Sequence, residues 1–260
     1  VPDFTQINLT VAGNALGQAF FSLSLGMGML ITYGSYIDDD NDIISSATLI
    51  TLTDVGIAFL AGLIIFPFVF SSGIETQGGP GLIFQVFPQI FQDLGGTTGI
   101  IIGSTFFILL SFAAITSTVS LLEVPVSYLV DEFNIERKFS VWIVAAVILS
   151  IGIPSVFSQG KSIFFSEFIT YFGAEKPIDF MQFIIDVSND TLLPFGGFLI
   201  TIFVAYVWKK KNLSEEISKG NPNYKGSLME KYINFSITYI CPLILGSIFL
   251  LTFLNKFFGI

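Results

Sequence analysis

Three groups of residues have the types and spacing to bind an ion or a small polar ligand. The first is Ser22-Leu23-Ser24-Leu25-Gly26-Met27-Gly28, in the middle of an uncharged, mainly apolar run from Ala12 to Tyr36. Its small residues alternate with apolar ones instead of recurring every three or four positions, so no single helix face collects them. Glycine weakens a helix, and serine offers the backbone other partners. The pattern therefore predicts a local break whose freed carbonyl and N–H groups serve a ligand, the condition under which irregular backbone is tolerated at membrane depth. The competing reading is a small-residue surface for tight helix packing.

The second group lies in SFAAITSTVSLLE, where Ala113, Thr116, Ser117 and Ser120 fall at i, i+3, i+4 and i+7. One helix face is then small and hydroxylated, and its oxygens are hard donors suited to a small monovalent cation. The same hydroxyls also have the option of bonding the carbonyl one turn back. The third is Asp54, followed by Ala58, Ala61 and Gly62 at i+4, i+7 and i+8. This places a carboxylate on the stripe that neighbouring helices approach most closely, one to two turns inside a span, where an ionisable residue is a functional candidate. The bland alternative is a position at the membrane surface.

Other chemistry is excluded by composition. There is no histidine and a single cysteine, Cys241, so an intrachain disulfide, Ser-His or Cys-His catalysis and the usual zinc sites are absent. No nucleophile–base set suggests an enzyme. Cys241 precedes Pro242 in an apolar run and reads as a packed thiol. Eleven basic residues against 20 acidic ones give a net charge of -9 and argue against a nucleic-acid partner. Much of that charge lies in polar loops such as Asp38-Asp39-Asp40-Asn41-Asp42, read as solvated.

The elements that must position these groups are membrane helices. The chain is 52% hydrophobic and 12% charged, with mean hydropathy +0.78, which fits an all-α integral membrane protein embedded in a lipid bilayer. Six transmembrane helices are expected, at roughly 12–36, 43–70, 100–130, 141–157, 179–208 and 232–253, within a single transporter domain over residues 1–260. The shortest, 141–157, needs tilt or flanking residues to span. The connection 71–99 is rich in Gly, Pro and Phe, and GPGLIFQVFPQIF predicts short helices folding back as a lid.

Six lysines in Lys209–Lys231, with Arg137 and Lys138 in the loop 131–140, mark one side; the other parity has only Lys161, Lys176 and Lys256. The positive-inside rule makes 209–231 cytoplasmic and residue 1 extracellular, in the plasma membrane. A first residue outside calls for an odd number of preceding spans, so the chain is expected to be the C-terminal part of a longer protein.

The motifs FFSLSLGMG, ITYGSY, an aspartate followed by AGLIIFP and VFSSG, GPGLIFQVFPQIF and FAAITSTVSLLE stand in one order and spacing. They closely resemble the prokaryotic branch of the neurotransmitter:sodium symporters, in particular bacterial leucine- and tryptophan-type amino-acid transporters. The similarity runs from about Asn14 to the last apolar run and matches the family's sixth to eleventh spans. The resemblance implies an inverted-repeat transporter fold with a discontinuous first helix, and sodium-coupled symport by alternating access around a midplane site.

Carried over residue by residue, Phe21 would cover the substrate, and Ser22 would ligate the first sodium as well as border the pocket. Ser24, Met27, Ser117 and Leu121 would line the substrate pocket. Ala113, Thr116 and Ser117 would hold the second sodium. Asp54 falls where many members have an asparagine ligand of the first sodium, and Ala58 replaces a serine associated with chloride, so transport independent of chloride is expected. On losing sodium, Asp54 would return with a proton. Asp186 lies near the family's outer-gate aspartate. The family's first five spans, which complete both sodium sites and the pocket, are expected as a missing partner segment. The apolar walls suggest a neutral, apolar L-amino acid. The alternative function is a solute-binding or sensing protein on the same fold that no longer transports.

Overall fold

The structure, a computed structural model, describes residues 5, 9–71, 81–160, 162–174 and 176–259. The described residues are helical, apart from turns and an isolated antiparallel bridge between Ile169 and Ile178. In chain order the helices are α1 (Leu9–Ser22), α2 (Met29–Gly34), α3 (Ile43–Ser71), α4 (Phe87–Asp93), α5 (Gly96–Phe133), α6 (Arg137–Phe157), α7 (Ile163–Ser166), α8 (Phe180–Ile185), α9 (Leu193–Ile202), α10 (Lys210–Gly220), α11 (Leu228–Phe235) and α12 (Cys241–Phe258). Wider π-helical turns occupy Leu82–Val86, Asp186–Leu192, Phe203–Lys209 and Ser236–Ile240.

Three of these four π segments end two residues before a proline: Pro88, Pro194 and Pro242. Proline has no N–H to give and its ring crowds the carbonyl four residues earlier, so the turn before it opens. The fourth ends at Lys209, whose φ of 74° lies in the left-handed region and bends the chain into α10.

Among the described residues, five helical stretches are long and apolar enough to cross a membrane: Ile43–Pro67, Gly96–Phe133, Arg137–Phe157, Phe180–Gly220 and Leu228–Phe258. The first expected span is instead divided into α1 and α2. The helices also outrun the apolar runs. α6 starts at Arg137, which gives it 21 residues and removes its apparent shortness. The polar stretch after Trp208 is helical, with Ser214 and Ile217 of α10 buried. In the connection 71–99, residues 72–80 lie outside the described residues; the π turn and α4 follow, and α5 already begins at Gly96.

The chain divides into two compact units, 1–47 with 122–260, and 48–121. In the first, α9 packs against α12 and α1. In the second, Val69, Val86, Phe87 and Ile90 form the core, with Ile65, Leu82, Phe91 and Phe106 packed against it. The Phe87 and Phe106 rings meet edge to face at 5.0 Å. Gly103 makes room for Phe91: a Cβ there would sit 3.0 Å from the ring.

Candidate functional site

The divided helix places the first group of residues. α1 stops at Ser22, residues Leu23–Gly28 run through turns and bends, and α2 begins at Met29. Ser24, Gly26 and Gly28 have φ of 54°, 79° and 81°. Glycine enters this left-handed region without the Cβ penalty that other residues meet. Gly26 has a second constraint. A Cβ there would collide with the carbonyl oxygen of Leu193 and lie 2.9 Å from the Gly197 nitrogen, while a Cβ on Gly196 would lie 2.6 Å from the Gly26 oxygen. The break is thus pressed backbone to backbone against α9, with Phe20 against Gly197. The role of the Gly196-Gly197 pair was visible in the sequence only as two adjacent glycines inside an apolar run.

The turn is closed by Leu23 N–H donating to Ala19 O (3.0 Å), Ser24 N–H to Phe21 O (3.0 Å) and Leu25 N–H to Phe20 O (2.9 Å). Among the described residues, no backbone N–H donates to the carbonyls of Leu23, Ser24, Leu25, Gly26 or Met27. The stretch therefore combines the two readings: a break with open carbonyls in an uncharged span, and small residues that let it pack closely on α9. Leu23 to Gly28 are half-buried, while Phe21 is 47% exposed.

The second group sits on an unbroken helix. Ala113, Thr116 and Ser117 share a face of α5, with Leu121 one turn beyond, all exposed. The Thr116 hydroxyl donates to Ala113 O (2.9 Å) and lies 3.2 Å from Phe112 O. The Thr118 hydroxyl donates to Ala114 O at 2.8 Å. The Ser117 hydroxyl makes no hydrogen bond among the described residues. Asp54 is half-buried on α3. These residues, Leu121 included, belong to the unit 48–121; Phe21, Ser22, Ser24, Met27 and Asp186 belong to the other.

Asp186 opens the π segment before α9 and is 1% exposed. Its Oδ1 accepts from Gln182 Nε2 (2.7 Å) and pairs with Lys256 Nζ (2.8 Å); its Oδ2 accepts from the Tyr171 hydroxyl (3.1 Å). Burial, reinforced by the charge on Asp186, pushes the Tyr171 phenol well above its ordinary range, so it stays protonated and donates. Lys256, read from sequence only as a terminal basic residue, lies in α12 and also reaches Asp190 Oδ2 at 2.9 Å. Nothing in its sequence surroundings pointed to these partners.

A second cluster ties down the far end of the divided helix. Just beyond α2, the Tyr36 hydroxyl donates to Glu123 Oε1 at 2.8 Å. Arg137 grips the same carboxylate with two bonds, at 2.9 and 2.6 Å. Such a fork-on-fork pair fixes geometry as well as charge. It joins the chain after α2 to α5 and α6.

The geometry of the divided helix, the α5 face and the buried Asp186 can be set beside what sequence comparison finds. A family profile described as "Sodium:neurotransmitter symporter family" matches residues 1–257. The chain belongs to the sodium:neurotransmitter symporter family. This is a family of transporters and not of enzymes. The chain is 34% identical over 250 residues to the Bacillus subtilis (strain 168) "Uncharacterized sodium-dependent transporter YhdH", covering 96% of this chain and 53% of the relative. It is 32% identical over 250 residues to an "Uncharacterized sodium-dependent transporter" of Haemophilus influenzae, covering 96% of this chain and 51% of that protein. Among solved structures, it superposes on MhsT in complex with L-phenylalanine with a TM-score of 0.83 and 36% identity, covering 96% of this chain and 54% of that one. The chain spans about half the length of the curated relatives it matches.

Proposed function

We propose that this chain is the C-terminal part of a sodium-coupled symporter for a neutral, apolar L-amino acid, and that five preceding spans complete its sodium sites and pocket. The observation that carries the reading is the divided helix. Its carbonyls from Leu23 to Met27 are hard oxygen donors without backbone partners among the described residues, inside a span that has no charge. Sodium suits such donors, whereas a soft or strongly coordinating metal would need thiolate or imidazole.

In this reading Ser22 and Asp54 contribute to one sodium site, and Ala113, Thr116 and Ser117 to a second. Phe21, Ser24, Met27, Ser117 and Leu121 face the amino acid, whose side chain meets apolar walls without a counter-charge. Asp186 serves the outer gate, and the lid is formed around α4. The relatives' description as sodium-dependent transporters and the L-phenylalanine bound by MhsT support this reading.

We place 209–231 in the cytoplasm and residue 1 outside, in the plasma membrane. Lys219 pairs with Asp39 at 3.1 Å and Asn221 donates to Asp42 at 3.1 Å. The two connections therefore share a membrane side, which the lysine distribution marks as cytoplasmic. The test is uptake of labelled L-phenylalanine and L-leucine into vesicles containing this chain together with its preceding spans. Accumulation driven by an inward sodium gradient is expected, and none from vesicles holding residues 1–260 alone. Accumulation by the 260 residues alone would overturn the need for further spans, and uptake indifferent to sodium would overturn the coupling.

A further inference from the structure

Asp186 is the one charged side chain among the described residues that is buried. Its lysine partner is shared. Lys256 Nζ lies 2.8 Å from Asp186 Oδ1 and 2.9 Å from Asp190 Oδ2. The π segment brings the two carboxylates to one side, and the Thr191 hydroxyl stabilises that turn by donating to the Asp186 carbonyl at 2.9 Å. The Tyr171 ring meets Phe257, next to Lys256, edge to face at 4.8 Å, so one arrangement holds both the phenol and the ammonium against Asp186.

One ammonium between two carboxylates leaves a single uncompensated negative charge. The two aspartates differ, since Asp186 is buried and has Gln182 and Tyr171 as neutral donors, while the Asp190 side chain is 37% exposed. A lysine is a point charge on a flexible stem with three donors, so it can shift its weight between acceptors. We propose that Lys256 is a positioning residue for transport: by dividing itself between Asp186 and Asp190, it sets how firmly Asp186 is held at the outer gate. The proposal rests on the reading of Asp186 as a gate residue.

Two opposite changes follow. Without Lys256 the buried carboxylate keeps only neutral donors, and the gate loses its anchor. Without the charge on Asp190 the lysine belongs to Asp186 alone, and the gate is held more tightly than in the native protein.

The experiment compares Lys256→Met, Lys256→Arg, Asp190→Asn and Asp186→Asn in the full transporter in proteoliposomes. It measures KM and maximal rate of sodium-driven L-phenylalanine uptake, with the melting temperature in detergent as the check on folding. Lys256→Met is expected to raise KM roughly tenfold or more, as removal of one partner of a buried charge pair does, with a smaller change in maximal rate. Lys256→Arg keeps the charge and should restore KM to within about threefold of native. Asp190→Asn should lower the maximal rate without raising KM, because a firmer gate opens more slowly.

A native KM in Lys256→Met, with KM raised in Asp186→Asn, would overturn the role of Lys256 and leave the gate standing. A native KM in Asp186→Asn would overturn the gate reading itself. Equal loss in the Met and Arg variants together with a lowered melting temperature would show a structural contact only and overturn the proposal.

Discussion

The divided helix and the hydroxylated face of α5 both offer oxygen atoms to a cation, but by different means. At Leu23–Gly28 the backbone itself is opened, at the cost of three residues in the left-handed region, and among the described residues no backbone N–H donates to the carbonyls of Leu23–Met27. On α5 the helix is unbroken, and the Thr116 and Thr118 hydroxyls are turned back onto carbonyls three and four residues earlier. One region has its carbonyls opened by its fold. The other is a regular helix whose threonine hydroxyls would have to turn outward to meet a cation. Substitutions should therefore be catastrophic in the first and graded in the second.

The largest effect should come from Gly26→Ala. A Cβ there meets the Leu193 carbonyl oxygen, and the residue would also carry the left-handed strain at φ 79°. Together these cost about 3 kcal/mol or more, roughly a hundredfold. Sodium-driven uptake should fall by that order. A native rate would show that the break relaxes and that its geometry is not the site. Gly17→Ala, where a Cβ meets nothing within 4 Å, is the matched control and should transport normally.

On α5 the two hydroxyls should separate. Ser117→Ala removes a hydroxyl that makes no hydrogen bond among the described residues, while Thr116 must first give up its bond to Ala113 O. Ser117→Ala should raise the sodium concentration for half-maximal uptake by about tenfold, corresponding to about 1–2 kcal/mol for a lost polar partner. Thr116→Ala should raise it less. Equal and unchanged sodium curves for both would remove this face from the sodium site. Leu121→Ala should be milder still, shifting preference towards tryptophan over alanine in competition assays by only about twofold to threefold, because replacing the isobutyl by a methyl group leaves room for a larger side chain.

The smallest effect concerns Asp42, which caps α3 by accepting from the N–H groups of Ile44 and Ser45, at 3.0 and 3.3 Å. The Ser45 hydroxyl bond leads the groups that hold its carboxyl below the ordinary aspartate range. A lowered value in the folded protein means the cap contributes fully above the ordinary aspartate range and is lost as pH falls through the lowered value. Amide exchange at Ile44 and Ser45 should accelerate in Asp42→Ala at neutral pH and in the native chain only on acidification. No acceleration in Asp42→Ala would remove the cap from the account.

The break was legible because serine and glycine alternated where a membrane helix would repeat them by turns. The α5 face was legible from its i, i+3, i+4 spacing. Helix ends were less so, because α10 is polar, and hydropathy stops at Trp208 while helix resumes beyond the bend at Lys209. The π segments could have been suspected from Pro88, Pro194 and Pro242, yet proline alone does not say whether a turn widens or breaks. Lys256 was opaque. A single lysine at the end of an apolar run looks like an interfacial charge, and only the fold carries it to Asp186. The grip of Arg137 on Glu123 was hidden for the same reason, as a loop cation and a carboxylate inside the preceding span with nothing in the sequence to pair them.

The central claim is that open carbonyls at the divided helix and the carboxylate of Asp54 serve sodium in a transporter. The most direct measurement is uptake of labelled L-phenylalanine by the full transporter, with sodium replaced by potassium in one arm and chloride by gluconate in another. The account predicts accumulation that vanishes with potassium and persists with gluconate, because Asp54 supplies the fixed negative charge. Accumulation that persists in potassium would contradict sodium coupling, and a strict need for chloride would contradict the role given to Asp54.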